Sequence, residues 1–307
     1  MAALKGRNLL SLADLTAEEM MRLIATAAKI KSGEINPQCP QKILGLVFKK
    51  ASTRTRVSFT AAMYKLGGQV IDLNANLTQI GRGEPAADTA RVLDRYLDVV
   101  AIRTYDQSEV EEFAQHSRIP ILNALTDLEH PCQILADLLT VQEEFGGFKG
   151  YTMTYLGDGN NVAHSLILGC ALAGMNVRVA TPEGYEPDST IVEQAQAISQ
   201  GNSEVVITHD ARAAVDGAHV LYTDVWASMG QEDDAAKRIP IFEPYQINQK
   251  LLDIADKTAI VLHCLPAHRG EEITEAVMEG SHSRIWDEVE NRMHAQQALL
   301  AEVLGAV

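Results

Sequence analysis

Short apolar runs rich in β-branched residues alternate with helical patterns along nearly the whole chain. Ile43–Phe48, Val70–Leu73, Val99–Ile102 and Ile119–Leu122 read as strands in the first half. Tyr151–Leu156, Asn176–Ala180, Val205–Thr208, Val220–Thr223 and Ala259–Leu262 repeat the rhythm in the second. Thr16-Ala-Glu-Glu19 has the form of a capping box and opens a helix running to about Lys31. Further helices are predicted from near Ser52, from Glu84 to about Tyr96, and from His130 to about Phe145, the last closed by Gly146-Gly147. Glu290–Leu304 reads as a final helix with no strand after it, and Ala227–Pro240 as a polar stretch without period, a candidate mobile loop. Continuous apolar strands separated by amphipathic helices belong in parallel sheets covered on both faces. The pattern therefore predicts an α/β protein of two domains, each a parallel sheet flanked by helices. Interdomain helices join them, one near residues 131–145. The expected boundaries are 1–132, 133–288, and a C-terminal helix at 289–307 packing back on the first domain.

Composition narrows the class of function. The 307 residues suit about two domains of roughly 150 residues each. With 26 basic and 41 acidic residues the formal charge is −15, and no basic face for a nucleic-acid backbone is visible. An anionic substrate stays open, because a few convergent arginines make a local positive pocket in an acidic protein. Cys39, Cys132, Cys170 and Cys264 are widely spaced, with no zinc or redox pairing. No apolar run approaches the ~18 residues of a membrane span, and the first residues lack the apolar stretch of a signal peptide. A reducing cytoplasm is the expected compartment.

The chemically informative residues gather just after predicted strands, where open parallel sheets bind ligands. Ser52-Thr-Arg-Thr-Arg56 follows the first strand and opens a helix, a place where backbone N–H groups and the helix dipole attract anions. A plain capped helix start with two surface arginines is the competing reading. Arg103 follows the strand ending at Ile102, and His130-Pro-Cys-Gln133 follows Ile119–Leu122. Together, Arg54, Arg103, His130 and Gln133 would surround a phosphate and donate to an attached carbonyl. Gly157-Asp-Gly-Asn-Asn161 invites a dinucleotide reading, with Glu183 about 20 residues on. Val162 at the third glycine position and the two asparagines weaken it. Asp224 and Ser228, in Asp224-Val-Trp-Ala-Ser-Met-Gly230, could hold an ammonium group; His263-Cys-Leu-Pro266 ends the last strand. Taken singly, Cys264 reads as a buried thiol and Arg292 as a surface helix residue.

As an ordered set these motifs resemble the carbamoyltransferase superfamily, in Ser-Thr-Arg-Thr-Arg and His-Pro-x-Gln. They resemble its ornithine branch in Asp-x-x-x-Ser-Met-Gly and His-Cys-Leu-Pro. The resemblance covers nearly the full chain and implies carbamoyl phosphate and L-ornithine as substrates, in arginine metabolism. It implies that Ser52, Thr53, Arg54, Thr55 and Arg103 bind the phosphate. His130, Gln133 and Arg292 would join Thr55 in polarising the carbonyl, with a backbone contact from Leu265. Gln79 would reach a neighbouring subunit's site. Asn161, Asp224, Ser228 and Met229 would hold the α-amino and α-carboxylate groups of ornithine, and Cys264 would lie near the δ-nitrogen. Arg103, His130, Cys264 and Arg292 are the expected catalytic set. A homotrimer or a multiple of trimers, with shared active sites and no metal or organic cofactor, is implied as well. Ala51, where many relatives carry Pro or a charged residue, is a mild departure.

The implied chemistry is amine attack on a carbamoyl carbon with departure of phosphate, which needs oxyanion donors and charge compensation. A lysine-like amine has a pKa of about 10.4, so the site must favour its neutral form. Desolvation, Cys264 or the departing phosphate could each provide for that. An aspartate-specific relative would need cations in the Ser228–Gly230 loop, and none is present. Putrescine or N-acetylornithine enzymes would share the phosphate half. A silent ligand-binding homologue or a dehydrogenase leaves the motif set unexplained.

Overall fold

A computed structural model of the chain describes residues 4–74, 78–227 and 235–307. Its residues form two compact units, one comprising the chain up to Leu139 together with Glu290–Val307, the other Thr140–Val289. Each is built on a parallel sheet flanked by helices, the architecture that the alternating pattern predicts.

In the first unit, strands β1 (Ile43–Phe48), β2 (Gln69–Asn74), β3 (Val99–Arg103) and β4 (Ile121–Leu125) lie in the order β2-β1-β3-β4. Helices α1 (Ala17–Ser32), α2 (Arg54–Lys65), α3 (Ala86–Leu93) and α4 (Gln107–Gln115) connect and cover them. The α1 start is set locally: Thr16 accepts from the Glu19 N–H while the Glu19 carboxylate accepts from the Thr16 N–H. Gly33 at φ 77° ends the helix. Val47, Val100, Ile102, Val110, Phe113 and Ile121 pack into one apolar cluster beneath the sheet. The order reverses between β1 and β3, which leaves a crevice beyond their carboxyl ends.

The chain passes into the second unit within α5 (Pro131–Phe145). Strands β5 (Thr152–Leu156), β6 (Asn176–Ala180), β7 (Val205–Thr208), β8 (Val220–Thr223) and β9 (Ile260–His263) take the order β7-β6-β5-β8-β9. Helices α6 (Asn161–Ala173), α7 (Ser189–Ser199), α8 (Ala211–Val215), α9 (Ala235–Phe242), α10 (Gln249–Leu252) and α11 (Glu275–Met278) accompany them. Here the reversal falls between β5 and β8. Helix α6 is apolar around nearly its whole circumference and buried from Val162 to Leu172. Within α12 (Ile285–Leu304) the chain returns to the first unit, where the Val303 carbonyl accepts from the Gly6 N–H and Glu302 pairs with Arg22 at 3.0 Å.

Several expectations need correction. Strand β4 begins two residues later and ends three residues later than Ile119–Leu122, because the polar Asn123 is wholly buried inside it, donating to the Leu10 carbonyl. Helix α3 is shorter than Glu84–Tyr96, and α12 starts five residues before Glu290. The stretch 227–240 is not irregular throughout, since α9 begins at Ala235 and contains Pro240. Among the described residues, no helix is long and apolar enough to cross a membrane.

Candidate active site

The first crevice is lined from the strand ends upward. After β1, the chain runs through Ser52 and Thr53 into α2, whose N-terminus has no side-chain cap and no acidic residue in its first turn. The Ser/Thr cap of the competing reading is absent; Arg54, Thr55 and Arg56 occupy the positive end of the helix dipole instead. Like charge there opposes helix formation and favours a bound anion. The arginines divide their work. Arg56 pairs with Asp72 and lies 5.0 Å from the Phe48 ring, so it braces the fold. Arg54 is near enough to His130 to act on its charge.

Arg103 closes β3 rather than following it, and is buried. The register slips there, Ile102 facing Asn123 while Arg103 faces Leu125, an irregularity that re-aims the side chain at the end of the ladder. His130 stands immediately before α5 and is also buried. Burial first, then the positive charges of Arg292, Arg103 and Arg54, push its pKa well below the ordinary imidazole value. It is therefore neutral at physiological pH, in a setting of three guanidinium groups. One of them, Arg292 of α12, is itself buried and donates to Gln133 Oε1 at 2.6 Å and to Thr55 Oγ1 at 2.8 Å. Gln133 in turn donates to Asp137 Oδ1 at 3.1 Å. Thr55, Arg292, Gln133 and Asp137 thus form one buried chain of hydrogen bonds across α2, α12 and α5. Gln79 is exposed at the start of a 3-10 turn (Gln79–Arg82). Sequence reasoning missed Lys50, which is buried, pairs with Asp127 and lies 4.2 Å from the Tyr105 ring. Its signal, a lysine two residues past an apolar strand, is too common to read alone.

The second crevice belongs to the other unit. Asp224, directly after β8, receives three donors: Asn160 Nδ2 to Oδ2 at 2.8 Å, and the Val225 N–H at 2.8 Å and Cys264 Sγ at 3.0 Å to Oδ1. Asn160 caps α6 through its Oδ1 and also accepts from the Tyr155 hydroxyl at 3.3 Å. Burial, with the charges of Asp224 and Asp158 adding, holds the Tyr155 phenol protonated well beyond its ordinary range. Asn161 is the first residue of α6 and half-buried. Ser228 and Met229 lie outside the described residues. Beyond β9, His263 and Glu272 are fully buried and bonded at 3.0 Å, while His263 Nδ1 accepts the Leu265 N–H at 2.8 Å. The ring proton therefore sits on Nε2 and faces the carboxylate. That brace holds Leu265 at φ 59°, a left-handed conformation unusual for a leucine.

Two donor groups have metal-like proximity among the described residues, Asp224 with His263 and Cys264, and His268 with Glu271 and Glu272. In the first, both His263 ring nitrogens and the thiol are committed to partners within the protein. The dinucleotide reading of Gly157-x-Gly159 also fails on geometry. A Cβ on Gly159 would stand 2.3 Å from the Pro187 nitrogen and 2.6 Å from the Tyr185 carbonyl oxygen. The open glycine face that a pyrophosphate would need is filled by the chain's own backbone.

Comparison with known proteins agrees with this geometry. Residues 7–143 match the family described as aspartate/ornithine carbamoyltransferase, carbamoyl-P binding domain, and residues 149–303 match its Asp/Orn binding domain. An ornithine carbamoyltransferase of Nostoc punctiforme is 66% identical over 306 residues, covering 100% of both chains. One from Synechocystis is 67% identical, covering 99% of each. Among solved structures, ornithine carbamoyltransferase from Pyrococcus furiosus superposes with a TM-score of 0.95 at 47% identity, covering 100% of both chains. That from Gloeobacter violaceus gives 0.90 at 55% identity, covering 98% of this chain and 100% of the other. With both of its halves matched in order and relatives aligned end to end, the chain belongs to the aspartate/ornithine carbamoyltransferase family.

Proposed function

We propose that the chain transfers the carbamoyl group of carbamoyl phosphate to the δ-amine of L-ornithine, giving L-citrulline and phosphate. The observation that carries this reading is the buried Thr55–Arg292–Gln133 chain beside a neutral, arginine-surrounded His130. Such a group suits a carbonyl attached to a phosphate. Ser52, Thr53, Arg54 and Arg103, with the uncapped start of α2, bind the phosphate and offset its charge as the C–O bond breaks. Thr55, His130, Gln133 and Arg292 hold the carbamoyl oxygen and stabilise the oxyanion of the tetrahedral intermediate. The backbone at Leu265 completes the carbamoyl contact.

The amine half rests on Asn161, Asp224, Ser228 and Met229, which hold the α-amino and α-carboxylate groups, with Cys264 beside the δ-nitrogen. Asp224 suits an ammonium group because a carboxylate has about four acceptor positions and three are already taken within the protein. The Cys264 thiol donates its own proton to Asp224, and a histidine held neutral by burial and cations is a weak base, which leaves the departing phosphate to take the amine proton. The proposal extends to a cytoplasmic homotrimer, or a multiple of it, in which Gln79 reaches a neighbouring subunit's site. No metal or organic cofactor has a part in these steps.

The test is carbamoyl-phosphate-dependent ureido product formation with L-ornithine against L-aspartate, putrescine, L-lysine and N-acetylornithine, with Arg54→Gly beside the wild type. Strong preference for ornithine, lost in the variant, is expected. Turnover of another amine would keep the phosphate half and overturn the amine half. Product from no amine at all would leave a binding role.

A further inference from the structure

We infer that Asn160 is a positioning residue for the amine half of the site, holding the Asp224 carboxylate in its receiving orientation while it caps α6. The inference deepens the reading above and rests on it.

The argument begins with which end of the amide is oxygen. Asn160 Oδ1 accepts the N–H groups of Val162 at 3.0 Å and Ala163 at 3.2 Å, and the Tyr155 hydroxyl at 3.3 Å. A flipped amide would set an NH2 against two backbone N–H groups and a phenol proton. The orientation is fixed, and Nδ2 can only face Asp224 Oδ2, at 2.8 Å. The opposite oxygen of Asp224 is held by Val225 N–H and Cys264 Sγ. The carboxylate is therefore clamped from the start of α6, from its own strand end and from the end of β9. Because Asn160 also anchors the first turn of α6, it ties the carboxylate to the most deeply buried helix of the unit.

Capping alone does not demand asparagine. Serine, threonine and aspartate cap as well, accepting the same N–H groups. Only asparagine accepts at the cap and donates at this reach with one rigid planar group. That difference separates a positioning role from a structural one. Asn160→Asp keeps the cap acceptor and sets oxygen against oxygen at Asp224. Asn160→Ser keeps a cap and withdraws the donor without adding charge.

The experiment is steady-state kinetics of full-length wild type, Asn160→Asp, Asn160→Ser and Tyr155→Phe, with both substrates varied and thermal unfolding followed in parallel. Loss of a hydrogen bond to a charged group predicts an ornithine KM raised about 10- to 100-fold in the Asn160 variants. The KM for carbamoyl phosphate should stay within about twofold of wild type; the unfolding midpoint should change little in Asn160→Ser and fall in Asn160→Asp, where two carboxylates face each other. Tyr155→Phe should shift the ornithine KM in the same sense but less. An unchanged ornithine KM in an active Asn160→Ser overturns the inference alone. Equal rises in both KM values with a lowered midpoint overturn it too, in favour of a purely structural cap. Absence of ornithine turnover in the wild type would instead sink the functional reading, and this inference with it.

Discussion

Arg292 and His130 divide one problem between a cation that is always charged and an imidazole that is not. Both are buried and close enough for their charges to act on each other, so they would repel if both carried charge, and burial together with the three arginines settles the matter against His130. The sign of the stability effect follows. The unfolded chain binds a proton at His130 below a pH of about 6.5, and the folded chain binds it only at lower pH. Stability contributed by the neutral form is complete above that value and is lost as pH falls, at up to ~1.4 kcal/mol per pH unit. Denaturant unfolding of wild type and His130→Asn at pH 7.5, 6.0 and 5.0 checks this. The wild type should lose ground to the variant below about pH 6.5; parallel curves would contradict it. At this scale the sequence was legible where a residue type is scarce in its setting. Ser-Thr-Arg-Thr after a strand and His-Pro-x-Gln before a helix pointed to Thr55, His130 and Gln133; Thr55 and Gln133 lie in the network, and His130 is buried within reach of the Arg292 charge. It was not legible where one letter serves two purposes. Arg54 and Arg56 look alike in the motif, and nothing in the letters tells that Arg56 pairs with Asp72 while Arg54 acts on the charge of His130. Asn160 read as part of a glycine-rich loop, because nothing local announces that its amide faces Asp224, 64 residues on.

Elements followed the same logic. The start of α1 is written in contiguous residues and came out as expected, as did β1 and β6. Those shaped by partners remote in sequence did not. Strand β4 shifted because Asn123 is satisfied by Leu10, 113 residues away. Helix α9 was hidden by Pro240 and polar neighbours, and is secured by Arg238. That residue bonds Asp158 and the Trp226 carbonyl and lies over the Tyr185 ring. The four- and five-residue helices α8, α10 and α11 are too short to carry a period. The turn between β5 and α6 yields a prediction of its own. Its Gly159 packs against backbone rather than a flexible side chain, so relief requires moving the 185–187 segment. Gly159→Ala should destabilise by about 3 kcal/mol, at the upper end of overpacking costs, and raise the ornithine KM. Unfolding and kinetics on the same preparation would reveal it, and an unperturbed variant would mean that the segment gives way easily.

For the molecule as a whole, the proposed trimer makes the most demanding prediction. Light scattering should return three times the 33.5 kDa of the chain, or a multiple of that. If Gln79 serves a neighbour, Gln79→Ala and Arg292→Met are each defective. Co-refolding them should create hybrid sites that recover activity, since one chain supplies Arg292 and the next Gln79. No recovery from a mixture of proven hybrids would place Gln79 in its own chain's site or outside any. The excess acidity, −15 overall, is no obstacle to anionic substrates, because the positive charge is concentrated where Arg54, Arg103 and Arg292 act on His130. The bond between Thr55 and Arg292 spans 237 positions and reaches over the entire second sheet. On a ribosome, the first unit emerges early with its strands and its arginine-bearing helix, yet the network at its centre stays open until residue 292 arrives. A nascent chain therefore has its second sheet behind it before it can complete the group assigned to carbamoyl phosphate. Any product cut short before α12 is made without the means to finish that group, however well its earlier parts have folded.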